Sequence, residues 1–89
     1  MKAIVTVIGK DQVGIIATVC NALSAEEVNV LDISQTVLQE YFVMIMLADL
    51  SACSLSFAEL SALLQKTGTA KGLDIRIQRE DIFNAMHRI

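Results

Sequence analysis

The sequence predicts an α+β fold of the ferredoxin-like type, a four-stranded antiparallel sheet with two helices on one face in the order βαββαβ. Runs rich in β-branched residues alternate with stretches of helical spacing, and two extended runs follow each other with no helix between them. The 89 residues, 54% of them hydrophobic, are enough for one domain with one core. Right-handed crossover connections place the first and third strands together at the centre.

The first strand is expected over Lys2 to Ile8, which is apolar at nearly every position and should be covered on both faces. In the hinge that follows, we expect Gly9 to adopt backbone angles closed to other residues and Asp11 to cap the next helix. That helix is expected from Gln12 to Glu26, with Gly14 near its third position. Its core-facing stripe is expected to consist of Val13, Ile16, Ala17, Cys20 and Leu23.

Two extended runs, Val28 to Gln39 and Tyr41 to Asp49, predict a hairpin. Side chains alternate across a strand, and in the second run both alternating sets are apolar. Helices on one side of the sheet leave the other set without a cover that so short a chain can supply. We therefore expect an exposed apolar face that marks an interaction site.

A capping box, Ser56 with Glu59, predicts the start of a second helix that ends at Gly68. The alternating stretch from Leu73 to Gln78 predicts the last strand. The whole chain, 1–89, is expected to form a single domain with its core over 2–78 and a short helix over 80–88. The apolar stripe of that helix, which must dock on this domain or on a partner chain, consists of Ile82, Phe83, Met86 and Ile89.

Composition argues against several classes of function. A net charge of −3 and a pI near 4.9 argue against nucleic-acid binding, which needs clustered Lys and Arg. Cys20 and Cys53 are too far apart in sequence for a metal or redox motif. Cys20 has core-facing helical spacing, so we expect a buried, inert thiol there. The longest apolar run, Phe42 to Ala48, is too short to cross a bilayer, and the N-terminus resembles no signal peptide. We expect a cytoplasmic protein without membrane contact.

No set of residues suits catalysis, so we expect no enzyme and no catalytic residue, cofactor or metal. His87 is the single histidine and lies near the chain end. Ferredoxin-like folds also serve acylphosphatases and metallochaperones. The first strand-to-helix loop, however, offers Lys10 as its single cation and has no cysteine. Asp11 and Asp32 are two carboxylates without a ligand cluster, which is weak evidence for a cation site.

The hinge does suit a small zwitterion. N–H groups of Val13, Gly14 and Ile15 at the start of the helix can accept an α-carboxylate, and the carboxylate of Asp11 can bind an ammonium group. Glycine inside a helix start is disfavoured by about 1 kcal/mol relative to alanine, so its presence needs a reason. The structural alternative is that Gly14 serves close packing on the sheet and that Asp11 only caps the helix.

Two further polar residues are candidates for the same site. Asn29 opens the second strand, and an asparagine that simply caps a turn is the equally good alternative for it. Asp32 is the weaker candidate, because a carboxylate on this strand can simply face solvent.

The run from Gly9 to Ile16, Gly-Lys-Asp-Gln-Val-Gly-Ile-Ile, and the run from Asn29 to Gln35 together resemble the ACT domain over residues 2 to about 78. The nearest resemblance is to stand-alone bacterial and archaeal ACT proteins, related to the glycine-cleavage repressor type. The resemblance implies a regulatory module whose amino-acid ligand lies between two domains. The positions that match this site are Asp11, Gly14, Ile15 and Asn29.

From the residues and the resemblance together we expect a homodimer that binds an amino acid and acts on a regulated enzyme or regulator. The alternative is a protein–protein assembly module without a ligand, which the apolar face of the third strand favours.

Overall fold

The computed structural model describes residues 1–81, which form a four-stranded antiparallel sheet with the strand order β2-β3-β1-β4. The ferredoxin-like α+β fold and the central position of β1 and β3 are confirmed. The elements are β1 (Lys2–Lys10), α1 (Ile15–Ala25), β2 (Asn29–Leu38), β3 (Tyr41–Asp49), α2 (Phe57–Lys71) and β4 (Asp74–Arg79). The expected hairpin is present, with a turn at Gln39 and Glu40 in which Gln39 has a φ of +56°.

Both helices lie on one side of the sheet, and the hydrophobic core lies between the helices and the sheet. The side chains that point to this inner side are almost fully buried in the two central strands, because helices cover them. They are Ala3, Val5 and Val7 on β1 and Phe42, Met44, Met46 and Ala48 on β3.

The opposite side of the sheet, here the outer face, is not covered within residues 1–81. On β1 and β3 the outward-pointing apolar side chains are only half-buried or exposed, and Ile8 and Ile45 both retain 44% of their surface. The prediction that the first strand is covered on both faces is therefore wrong for a single chain. The predicted exposed face of β3 is present.

The buried stripe of α1 consists of Ile15, Val19 and Leu23. The predicted stripe was correct at Leu23, correct in part at Cys20 and wrong at Val13, Ile16 and Ala17. Cys20 is half-buried against the core and is a free thiol. The apolar arc of this helix is wider than one stripe, and its packing on the sheet buries only part of the arc.

Helix α2 begins as predicted and ends later than predicted. Ser56 and Glu59 form a complete capping box. The helix passes through Gly68 to Lys71 and ends at Gly72, whose φ of +70° and two capping N–H bonds give the left-handed C-terminal motif. Gly68 is instead buried within the helix. A Cβ there would lie 2.7 Å from the carbonyl oxygen of Leu73, so glycine permits close contact between α2 and the start of β4.

Strand β4 runs one residue beyond its predicted end, through Arg79. The terminal helix expected over 80–88 lies, after its first two residues, outside the described part of the chain.

We predict that Gly68→Ala destabilises the fold by about 1–3 kcal/mol, because the new methyl group must displace backbone atoms of Leu73. Urea unfolding of Gly68→Ala beside the exposed control Thr69→Ala measures this. Helix propensity alone would stabilise the variant by about 1 kcal/mol. A higher urea midpoint for Gly68→Ala would therefore contradict the tight contact.

We also predict that Glu59 contributes to acid sensitivity. The backbone N–H of Ser56, followed by the Ser56 side chain, lowers the pKa of Glu59. The contribution is therefore fully present above the unfolded pKa of Glu59 and is lost as pH falls through its lower folded pKa. Glu59→Gln should lose less stability than wild type between about pH 5 and about pH 3. The control is Glu40→Gln; equal acid dependence in all three proteins would refute the role of Glu59.

Candidate functional site

The connection between β1 and α1, residues 11–14 and here the hinge loop, lies at the end of the sheet where the β2–β3 hairpin turns. The N–H of Asp11 donates to the carbonyl oxygen of Glu40 at 2.8 Å. The side-chain amide of Gln12 donates to the carbonyl oxygen of Lys71, at the end of α2, at 3.0 Å. These two bonds hold the hinge loop against both neighbouring connections.

The residue before α1 is Gly14, not Asp11. Gly14 occupies the N-cap position with a φ of +87°, its carbonyl oxygen accepts the N–H of Thr18, and no side chain caps the helix. The predictions that Asp11 caps the helix and that Gly14 is its third residue are wrong. The helix starts after Gly14 because a left-handed residue cannot belong to a right-handed helix.

The reason for glycine differs at the two hinge positions. A Cβ at Gly14 would meet no atom within 4 Å, so the backbone angle requires glycine there and close packing does not. Gly9 lies within β1 without a positive φ. A Cβ at Gly9 would lie 2.6 Å from Cδ2 of Leu73, so the prediction that Gly9 serves the turn is wrong and its reason is steric.

The two helix starts differ in charge and in capping. Helix α2 has the Ser56–Glu59 capping box, whereas the first turn of α1 has no acidic residue and no side-chain cap. The first N–H groups of a helix have no partner inside it and form its positive end. The carboxylate nearest to this helix start along the sequence is that of Asp11, which accepts no hydrogen bond from residues 1–81. The N–H groups at the start of α1 are thus not capped by a side chain of the described residues. This start can therefore bind an anionic group.

Exposed apolar side chains lie in the hinge loop, in the first turn of α1 and on the edge strand β2. Val13 is fully exposed at 102% and Ile16 retains 40% of its surface. On the helix side of the edge strand β2, Ile33 and Val37 retain 42% and 52%. We call these four side chains the flank. Val13 and Ile16, which were predicted to face the core, are thus exposed, and the width of the apolar arc of α1 was the signal that some of it remains outside the core.

The other two candidate residues do not join the hinge loop within one chain. Asn29 pairs with Asp49, at the end of the sheet opposite Tyr41 and the hinge, about 27 Å away along β3. Asp32 follows a bulge in β2 and shares the outer face with Leu47, while its carboxylate accepts the N–H of Ile33 at 2.8 Å. The structure thus brings together Asp11, Val13, Gly14 and Ile15.

Asp11 and Asp32 lie on different parts of the molecule, so they do not form a common cation site in one chain. Among residues 1–81, no cluster of three or more His, Cys, Asp or Glu side chains could hold a metal ion.

A model of the ACT domain matches residues 2–78. The chain belongs to the ACT domain family. ACT domains are generally regulatory modules that bind amino acids, which agrees with the coarse functional expectation. The residue combination at the hinge and at the start of β2 thus indicated the correct family.

This ACT domain is 55% identical over 89 residues to a UPF0237 protein of Clostridium acetobutylicum, and the match covers 100% of both chains. A solved ACT domain protein from Streptococcus pneumoniae is 41% identical, covers 98% of both chains and superimposes with a TM-score of 0.84. A structure described as a glycine cleavage system transcriptional repressor shares the fold, with a TM-score of 0.73 at 19% identity over 86% of this chain and 44% of that one.

A concave region of the ACT domain lies along β4, at the sheet edge away from β2 and apart from the hinge loop. It has a volume of about 330 Å³ and is lined by Ser61, Gln65, Asp74, Arg76, Ile77 and Gln78. The guanidinium of Arg76 is paired with the carboxylate of Asp74 at 3.2 Å. This groove therefore offers a ligand less unpaired charge than the start of α1 does.

No helix within the described residues has the length and apolar character needed to span a membrane.

Proposed function

We propose that this ACT domain is a regulatory module that binds an amino acid at the hinge loop and acts as a homodimer. The observation that supports this most directly is the start of α1, which combines Gly14 at a φ of +87°, no side-chain cap and the adjacent Asp11. In this proposal the ligand supplies the anionic cap that the chain itself does not provide.

Each end of an amino acid has a complementary group at the hinge loop. The α-carboxylate accepts N–H groups of Val13, Gly14 and Ile15, and the ammonium group pairs with the carboxylate of Asp11. The side chain of the ligand lies against Val13 and Ile16, which are exposed in the single chain. These neighbours favour an apolar amino acid over a charged one.

The homodimer is proposed to form along the free edge of β2. Ten residues make up this strand, all ten have exposed or half-exposed side chains, and the single charged residue among them is Asp32. Native proteins usually protect such an edge with Lys, Pro or a covering element. A second copy pairing antiparallel with β2 would extend the sheet and cover Ile33 and Val37 of the flank.

The same pairing would bring Asn29 of the second copy to the hinge end of the sheet. When two copies of β2 run antiparallel about their common centre, Asn29 of one lies opposite Leu38 of the other. Leu38 pairs with Tyr41, and Tyr41 pairs with Lys10, so Asn29 of the second copy lies about 14 Å, three strand spacings, from the residue before the hinge loop. Asn29 and Asp32 both point to the outer face in this register, and both are therefore weaker candidates for the ligand than the hinge loop itself.

We predict that one amino acid in a thermal-shift screen of the twenty stabilises the protein. At a hundred times its dissociation constant a ligand adds about 2.7 kcal/mol, which raises the melting temperature of a domain of this size by roughly 10 °C or more. Gly14→Val should abolish the shift, because its side chain covers the N–H groups at the start of α1.

The matched control is Gly72→Val, since Gly72 also has a positive φ and no atom near its missing Cβ. Both variants lose stability from backbone strain, by about 1–2 kcal/mol. If Gly14→Val binds the amino acid as wild type does, the proposed site is wrong.

We predict that Ile33→Lys disrupts the edge dimer. Ile33 lies near the centre of β2, so the two new charges become diagonal neighbours close to the dimer axis. Sedimentation equilibrium should show a smaller assembly than wild type, with unchanged circular dichroism because Ile33 is 42% exposed in the single chain. Ala62→Lys on the exposed side of α2 is the control. An unchanged mass for Ile33→Lys would reject pairing through β2.

The second candidate function is a protein–protein assembly module without a ligand, and the uncovered apolar outer face favours it. A screen in which no amino acid shifts the melting temperature supports this alternative. In either case the proposed downstream partner is a regulated enzyme or regulator.

A further inference from the structure

The side chain of Gln12 joins the hinge loop to the end of the second helix. Its amide donates a hydrogen bond of 3.0 Å to the carbonyl oxygen of Lys71, and the two residues are 59 positions apart in the chain. Lys71 is the last residue of α2, so its carbonyl oxygen has no partner within that helix. The hinge loop therefore supplies a cap to the end of α2.

A second contact places the hinge loop and the connection after α2 side by side. A Cβ at Gly9 would lie 2.6 Å from Cδ2 of Leu73 and 3.4 Å from the carbonyl oxygen of Gly72. The residues that follow α2 thus pack on β1 just before the hinge loop. The negative end of α2 and the positive start of α1 lie at the same end of the sheet, and Gln12 links them.

Gln12 fixes the part of the hinge loop that lies next to α1. The other hydrogen bond between the loop and a neighbouring connection is that of the Asp11 N–H to the carbonyl oxygen of Glu40, on the β1 side of the loop. Gly14 follows, and the backbone of a glycine has more accessible conformations than that of any other residue. A loop that is ordered before the ligand arrives loses less entropy on binding.

We propose, on the basis of the function proposed above, that Gln12 is the positioning residue of the hinge loop and holds the N–H groups of Val13 and Gly14 in place through its bond to Lys71. A solvent-exposed hydrogen bond is weak, so the bonded and released loops have similar free energies. An amino acid that binds the bonded loop better shifts the population toward it. Binding at the hinge loop and capping of α2 are therefore coupled in both directions.

The N–H of Gly72 reports on this bond directly, because it belongs to the same peptide group as the carbonyl of Lys71. That N–H donates to the carbonyl oxygen of Thr69 at 3.3 Å. In Gln12→Ala we expect hydrogen exchange at Gly72 to be about three to ten times faster than in wild type. Gln65→Ala is the matched control, because Gln65 is exposed on the same helix. Exchange at Gly72 that is equal in wild type and Gln12→Ala would overturn the proposal.

Gln12→Glu adds a pH profile that a merely structural role would not produce. A carboxylate cannot donate to the carbonyl oxygen of Lys71, whereas a protonated carboxyl group can. Folding therefore raises the pKa of the new carboxyl group, so the bond is present at low pH and is lost as pH rises through the folded pKa.

The ratio of the exchange rates at Gly72 in Gln12→Glu and in wild type should therefore fall toward one between about pH 7 and about pH 4. A ratio that does not change with pH rejects the bond to Lys71 as the cause. The other charged groups of the three neighbouring connections are the same in both proteins, so a difference belongs to position 12. These groups are Lys10, Asp11, Glu40, Lys71 and Asp74.

Titration with L-valine, L-leucine and L-isoleucine separates the role of Gln12 from the proposed ligand site. A probe that binds wild type should bind Gln12→Ala about three to ten times more weakly and should slow exchange at Gly72 in wild type alone. Equal affinity of wild type and Gln12→Ala contradicts the coupling. If no probe binds wild type, the proposed site for apolar amino acids is rejected, whereas exchange at Gly72 still decides whether Gln12 holds the loop.

Discussion

The constraint on which the rest of the structure depends is that two helices cover one side of a four-stranded sheet. That side contains the buried core, with Val5, Val7, Met44 and Met46 beneath the helices. The same apolar character continues on the outer face, where no element of residues 1–81 lies. The two helices and four strands of residues 1–81 form two layers and leave this face without a third. The surface of the chain is therefore strongly apolar in two places, the outer face and the flank, and both indicate association.

The hinge loop depends on a second constraint, which is the backbone conformation at Gly14. The backbone must turn from the central strand into a helix that lies back over the sheet, and Gly14 makes this turn with a left-handed conformation. Because Gly14 has no side chain, the first turn of α1 is left without the cap that Ser56 gives α2. The geometry that completes the fold thus also leaves a polar, positive helix start open to solvent, next to Asp11 and the exposed Val13.

Particular residues show how far sequence reasoning reached at the candidate site. The hinge was located correctly, but the roles within it were exchanged: Gly14 and not Asp11 occupies the N-cap, and Gly9 is a glycine because Leu73 lies against it. Contact between residues more than sixty positions apart cannot be read from local pattern. Asn29 and Asp32 were grouped with the hinge as polar residues of the second strand, and Asn29 also from the family resemblance; within one chain the strand register separates both from the hinge.

The sequence by itself determined the order of the elements, the central place of β1 and β3, the capping box of α2 and the family, because these follow from local periodicity, capping chemistry and the handedness of connections. Tertiary structure decided which stripe of α1 is buried and that Gly68 lies inside α2 rather than at its end. The local sequence allows more than one solution for each helix: different stripes of α1 could face the sheet, and α2 could end at Gly68 or at Gly72. The choice between the solutions depended on what the sheet and the start of β4 could contact, which is information that no short stretch of the chain contains.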